Sequence, residues 1–348
     1  MIPGLRADSL PRLHPLRAAA WRRAAACAAC TLTLGCRAAG PAPSAGALPP
    51  AEAGALPPGL REGPHDVVVN GVRLWYRVAG TAPADAPPVV FLHGGPGQGS
   101  QSFAALAGPR LEPALRMVYL DQRGSGRSER PWNGAYSIDL LVEDLEGVRR
   151  GLGVPRMALL AQSFGAVVAL EYAARYPAHV SRMVIAAGLS DTPASLRGQC
   201  ARLAELDPPA HARAVAAGGD AGCNPFAAYE GAAQGEFVAR NMFPDAAVRA
   251  ALERADTAGG LRNKGELGGA IFSQGLLGWR FAGHDRLAMP VLVIAGERDY
   301  QINLEPQRDL ARRLPDAELL VYEDAGHFMF LDRPDRFARD VIAFFSAD

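Results

Sequence analysis

Six short runs in this chain are apolar almost without a break: "VVFLH" (Val89–His93), "MVYLD" (Met117–Asp121), "MALLA" (Met157–Ala161), "MVIAA" (Met183–Ala187), "VLVIAG" (Val291–Gly296) and "ELLVY" (Glu318–Tyr322). A strand with one wet face alternates polar and apolar residues, whereas a strand covered on both faces does not. Segments of helical periodicity fall between these runs, notably Ile138–Arg150 and the Ala-rich Phe164–Tyr176, which Pro177 closes. Alternation of this kind predicts an α/β fold, a mostly parallel central sheet with helices on both faces. Upstream, Asn70-Gly71 joins two β-rich halves of "DVVVNGVRLWYRVAG" and predicts a tight hairpin.

Between Gly188 and Asp285 the alternation stops. Helix-like patterns there are punctuated by Pro208-Pro209, Gly218-Gly219 and Gly259-Gly260. The organisation that follows is a core made of residues 65–187 and 288–348, with a helical cap, residues 188–287, inserted between two of its strands. Such a cap would lie over the carboxyl ends of the strands, where open α/β sheets bind their ligands. With 36 basic and 36 acidic residues, the chain has no net field to recruit nucleic acid. A small substrate is the expected partner.

The N-terminal segment has a different character. Arg12, Arg17, Arg22 and Arg23 precede the apolar "AAACAACTLTLG" (Ala24–Gly35), the layout of an export signal and too short for a membrane span. It ends at "TLGC", so residues 1–36 read as a lipoprotein-type signal with Cys36 as the lipidated residue, although Thr33 stands where such sites usually have leucine. This predicts an exported, periplasmic protein anchored to a membrane by lipid. Residues 37–64, rich in Ala, Pro and Gly, read as a flexible tether. Of the five cysteines, Cys27 and Cys30 fall inside the signal. Cys200 and Cys223 remain, either as a disulfide in an oxidising compartment or as two separate buried thiols.

The chemistry is carried by three loops, each after a predicted strand. Ser163 sits in "LLAQSFGAVVAL", strand then sharp turn then helix, with small Ala161 and Gly165 two residues to either side. That is the layout of a nucleophile elbow, with alanine at the first of its usual glycine positions. "GERDYQ" supplies Asp299 and "EDAGHFMFLDRP" supplies His327. The order Ser, Asp, His is that of the α/β-hydrolase fold, in which the histidine takes the serine proton and the acid fixes its tautomer. Asp191, after the strand Met183–Ala187, is the rival acid, while Asp324 and Asp332 lie too near His327 in sequence to be preferred. "HGGPG" (His93–Gly97) places bare backbone after an earlier strand, so the amides of Gly94 or Gly95 and of Phe164 are the candidate oxyanion donors.

"HGGPG", "DQRGSGRS" (Asp121–Ser128), "QSFG" around Ser163, "GERD" and "GHF" resemble the proline iminopeptidases, a family of serine α/β-hydrolases. The resemblance runs from about Asp66 onward. It implies release of an N-terminal residue, often proline, from short peptides through an acyl-enzyme, with no cofactor and no metal. It also implies that cap glutamates bind the substrate's free amine, and in some members a glutamate directly after the catalytic acid. Here that last position is Tyr300. In the cap, "RNKGELGG" offers Glu266 for the amine, with Glu205, Glu230 and Glu236 as alternatives. The competing expectation is a carboxylesterase or lactone hydrolase that acts on small esters with the same triad.

Overall fold

The computed structural model describes residues 56–83, 85–218, 222–259 and 265–347. One sheet contains β1 (Gly63–Val69), β2 (Val72–Ala79), β3 (Val89–Leu92), β4 (Met117–Leu120), β5 (Met157–Gln162), β6 (Val180–Ala186), β7 (Val291–Gly296) and β8 (Ala317–Tyr322). Its spatial order is β1-β2-β4-β3-β5-β6-β7-β8. The β1–β2 and β2–β4 pairs are antiparallel, and every other pair is parallel. Each of the six apolar runs is a strand of this sheet. The hairpin forms at Asn70-Gly71, where both residues have positive φ, 49° and 74°.

Helices fill the connections. α1 (Gln101–Leu106) and α2 (Gly108–Leu111) follow β3, α3 (Ile138–Leu152) follows β4, and α4 (Gly165–Arg175) follows β5. Between β6 and β7 come α5 (Thr192–Leu206), α6 (Pro208–Ala216), α7 (Gly231–Met242), α8 (Ala246–Ala258) and α9 (Glu266–Ser273). α10 (Leu304–Arg313) joins β7 to β8, and α11 (Met329–Asp332) and α12 (Pro334–Ser346) follow β8. Local sequence accounts for several boundaries. Ser137 caps α3 by accepting from the Leu140 amide, and left-handed Gly153 closes it. Pro208-Pro209 separates α5 from α6 by opening the second helix, with Asp207 as its cap.

Apolar continuity in the strands serves two cores at once. Val90 and Leu92 of β3 pack with Leu141, Leu145 and Val167 on the side of α3 and α4. Val89 and Phe91 face the other way, toward Phe103, Phe337 and Val341. Each such fully buried side chain stabilises the fold by roughly 1.5–3 kcal/mol. β1, at the sheet edge, instead alternates in burial along its length.

One boundary differs from the sequence expectation. The tether was expected to reach residue 64, yet Pro58–Leu60 form a turn of 3-10 helix, Leu60 is buried, and the Tyr76 hydroxyl donates to the Gly59 carbonyl. Burying one leucine under β2 and α3 moves the start of the folded chain upstream. Cys36 and the rest of residues 1–55 lie outside the described residues.

Cys200, in α5, and Cys223 form a disulfide, with their Cα atoms 6.5 Å apart and a sequence separation of 23 residues. Closing a loop of that length removes enough denatured-chain entropy to stabilise the fold by roughly 3 kcal/mol. A Cys200→Ala/Cys223→Ala variant should therefore unfold at a clearly lower urea concentration than the oxidised wild type. Equal midpoints would show that the bridge adds nothing to stability.

Candidate active site

Every predicted chemical loop leaves the carboxyl end of a parallel strand. Ser163 follows β5 with φ of +54°, a left-handed conformation that a non-glycine residue adopts only at a cost of order 1–3 kcal/mol. Its surroundings hold it there: its amide donates to the Ala186 carbonyl at 3.2 Å, and its carbonyl accepts from Ala166 at 3.0 Å and Leu189 at 3.1 Å. Small flanking residues are needed for contact reasons. A Cβ on Gly165 would overlap the Leu92 carbonyl, and Ala161 is fully buried in β5.

Asp299 and His327, each 1% exposed, meet through His327 Nδ1 and Asp299 Oδ2 at 2.9 Å. The other carboxylate oxygen, Oδ1, accepts from the amides of Gln301 at 3.0 Å and Ile302 at 3.1 Å. Asp299 thus has one oxygen tied to backbone amides and one free to act, toward His327 Nδ1. The geometry leaves Asp191 another task. It is the N-cap of α5, accepting from the Ala194 amide at 2.7 Å, and its carboxylate faces Arg280. Asp324 faces Arg298 and Arg333 at the surface. Asp332 accepts from the Gly326 amide at 2.8 Å and so steadies the turn that presents His327. Burial raises its carboxyl pKa.

The glycines of "HGGPG" are required by close approach. A Cβ on Gly94 would lie 2.6 Å from Gln162 Oε1 and 2.8 Å from Ser163 Cβ, so the Gly94 backbone abuts the serine itself. Gly95 adds a positive φ of 115°. Across from it, Phe164 caps the N-terminal end of α4, where amides have no partner within the helix and the helix dipole is positive.

This loop is locked from below by His93, which is buried. The Gln122 amide, which can only donate, reaches His93 Nε2 at 3.1 Å, so Nδ1 carries the proton and donates to the Gly94 carbonyl at 2.9 Å. The Gln122 side chain returns a bond to the His93 carbonyl at 2.8 Å. Asp121, next in "DQRGSGRS", accepts from both the amide and the hydroxyl of Ser100 at 2.7 Å. Burial holds the His93 pKa below its ordinary 6.5, outweighing the opposing effects of the Gly94 bond and of Asp121 and Asp256. The unfolded chain therefore binds a proton here before the folded chain does. Stability from this residue is complete above about pH 6.5 and falls as pH drops through the folded-state pKa. Melting temperature against pH should show that acid-side decline in the wild type and less of it in His93→Gln. Parallel curves would remove His93 as the cause.

Two cavities meet at Ser163. The larger, about 510 Å³, is lined by His327, Gln162, Phe243, Glu253 and Asp256. The smaller, about 70 Å³, is lined by Phe164, Leu189, Thr192, Gln199, Phe226 and Gln301 among others. Gly95, Pro96, Ser163, Met242 and Phe272 border both.

Residues 87–334 match the alpha/beta hydrolase fold family. The chain belongs to that family. Among curated relatives, this hydrolase is 25% identical over 285 residues to the proline iminopeptidase of Thermoplasma volcanium, covering 80% of this chain and 95% of that one. Among solved structures it is 30% identical to a proline iminopeptidase-related protein from Thermus thermophilus, with a TM-score of 0.68 over 82% of this chain and 98% of that one. An enol-lactonase from Burkholderia xenovorans, 22% identical with a TM-score of 0.61 over 81% of this chain and 100% of that one, shares the fold.

The hydrolase departs from the sequence expectation at the amine site. Glu266 opens α9 with its side chain 51% exposed, held in a bidentate pair by Arg130 at 2.7 and 3.0 Å and by the Tyr136 hydroxyl at 3.2 Å. Burial and this carboxylate push the Tyr136 phenol up to about 12, so it stays a donor. Glu266 lines neither cavity; its neighbours Gly265, Gly268 and Gly269 do. The helix turns its small face to the serine and its charge outward. Glu205 and Glu230 are exposed, and Glu236 pairs with Arg240 and Arg249. Tyr300 lies under the Arg202 guanidinium at 3.4 Å. The polar residues that line the smaller cavity beside Ser163, namely Thr192, Ser195, Gln199 and Gln301, were not singled out from sequence. For Gln301 a signal existed, its place two residues after Asp299; for Gln199 in mid-helix there was none.

Proposed function

We propose that this hydrolase uses Ser163 as nucleophile, His327 as base and then acid, and Asp299 as the group that orients it, to release an N-terminal proline or other small residue from short peptides. Ser163 Oγ attacks the scissile carbonyl carbon while its proton passes to His327 Nε2. The carbonyl oxygen becomes an oxyanion held by the amides of Phe164 and of Gly94 or Gly95. The carbon–nitrogen bond then breaks as His327 gives the proton to the departing amine, leaving an acyl-enzyme. Water, deprotonated by the same imidazole, attacks that ester and releases the acid and the free serine.

The smaller cavity carries the substrate reading. A leaving group must sit beside the histidine that protonates it, and His327 lines only the larger cavity. The acyl part therefore takes the cavity of about 70 Å³. A space of that size takes a small acyl group and not a long acyl chain. The proline iminopeptidase names of the relatives agree with this size.

A second reading, hydrolysis of small esters or lactones, is favoured by the absence of any carboxylate among the residues lining the smaller cavity. Prolyl nitroanilide, its N-acetylated form and a short acyl ester separate the two. Cleavage of the free prolyl anilide at least about tenfold faster than its acetylated form supports the peptidase; ester cleavage alone supports the alternative.

We further propose export with a lipid anchor on Cys36. The Cys200–Cys223 bridge supports an oxidising compartment. A Cys36→Ser variant in a Gram-negative host should move from the membrane to the soluble fraction; unchanged attachment would remove the anchor.

A further inference from the structure

Three residues that line the smaller cavity, Thr192, Gln199 and Gln301, each carry a buried side-chain oxygen, Oγ1, Oε1 and Oε1, with no hydrogen-bond partner among the described residues. Buried polar atoms are ordinarily paired, so three unpaired ones around a single cavity require an explanation. The orientation of the Gln199 amide is not arbitrary. Gln199 is 2% exposed, and its Nε2 donates to the Gln301 carbonyl at 2.7 Å, which fixes its oxygen as the end left over. The Gln301 backbone amide donates to Asp299 Oδ1 at 3.0 Å, which anchors this residue beside the cavity. The remaining lining of this cavity is apolar apart from Ser163 and Ser195 and contains no charged residue.

We infer that Gln199 and Gln301, with Thr192, form the specificity-determining subsite for the acyl residue and accept hydrogen bonds from its N–H group. The substrate class this selects is a small cyclic or short acyl residue that bears an N–H next to the scissile carbonyl. It places amine recognition on uncharged oxygens in α5 and the loop after β7, in place of a cap carboxylate. A site built from acceptors discriminates strongly against an analogue that lacks the donor, because its own buried oxygens are then left unpaired. The inference rests on the assignment of the smaller cavity to the acyl group.

The test compares acyl groups of one shape. Benzyl esters and nitroanilides of proline and of cyclopentanecarboxylic acid differ only in the ring N–H. Wild type should favour the prolyl over the cyclopentanecarboxyl ester by at least about tenfold in kcat/KM, and Gln199→Met or Gln301→Met should bring that ratio close to one. Gln301→Glu, which keeps the shape and adds a charge, should raise it. A wild-type ratio within about twofold, or a ratio unchanged in both methionine variants, overturns the subsite. Should Gln199→Met fail to fold, having lost its bond to the Gln301 carbonyl, the two Gln301 variants decide. The anilides keep the outcomes separate: if neither anilide is cleaved while the esters are, the peptidase reading fails and the ester ratio still judges the subsite.

Discussion

Ser163→Ala should fold with an unchanged sheet yet lose about 10⁶-fold in kcat, the loss expected when the nucleophile of an intact triad is removed. It should also cease to react with a fluorophosphonate probe. The reasoning is local. Oγ is held clear of the sheet by a left-handed backbone at φ +54°, and alanine tolerates that conformation no worse than serine does. The substitution therefore removes the reacting oxygen and little else. Unfolding by urea gives the control for stability, and active-site labelling gives the readout. Retained labelling at wild-type rate would place the nucleophile elsewhere.

Asp299→Asn should lower kcat by roughly 10⁴ with little change in fold. Oδ1 accepts from two backbone amides, Gln301 and Ile302, so the side-chain oxygen of asparagine must stay there. Its NH₂ group then faces His327 Nδ1, where the carboxylate oxygen had been. Two donors cannot meet, so Nδ1 becomes the acceptor and the proton moves to Nε2. The imidazole can no longer take the serine proton. Asp191→Asn makes the contrast, because asparagine caps a helix as well as aspartate does. It should be nearly silent in both rate and stability. A silent Asp299→Asn with an impaired Asp191→Asn would exchange the two assignments.

The loops after β3, β5, β7 and β8 were legible because each is anchored to a strand whose continuous apolar run announces where it ends. Ser163, Asp299 and His327 lie two, three and five positions past such runs, close enough to be placed at their ends. The cap offers no such ruler. Whether Glu266 faces the serine or the solvent depends on the roll of α9 against the core, and Arg130 and Tyr136, more than a hundred residues earlier, take its charge. Gln199 was hidden for the same reason, since a glutamine in the middle of an amphipathic helix looks like any other until its neighbours are known. Leu60 was missed because a single leucine among prolines and glycines has no periodicity to report its burial. The Cys200–Cys223 pair was named as one of two options, and distance alone separates them.

The end of α7 has a consequence for how this enzyme could be rebuilt. Its last carbonyls reach out of the cap: Asn241 accepts from the Tyr300 amide and Met242 from the His327 amide, both at 2.9 Å. The segment that covers the site is thus stitched to the backbone at Tyr300, next to Asp299, and at His327 itself. It is not an exchangeable cassette. A graft from a relative would have to bring two carbonyls to these same points, or the histidine and the aspartate would lose their footing even with every catalytic side chain intact.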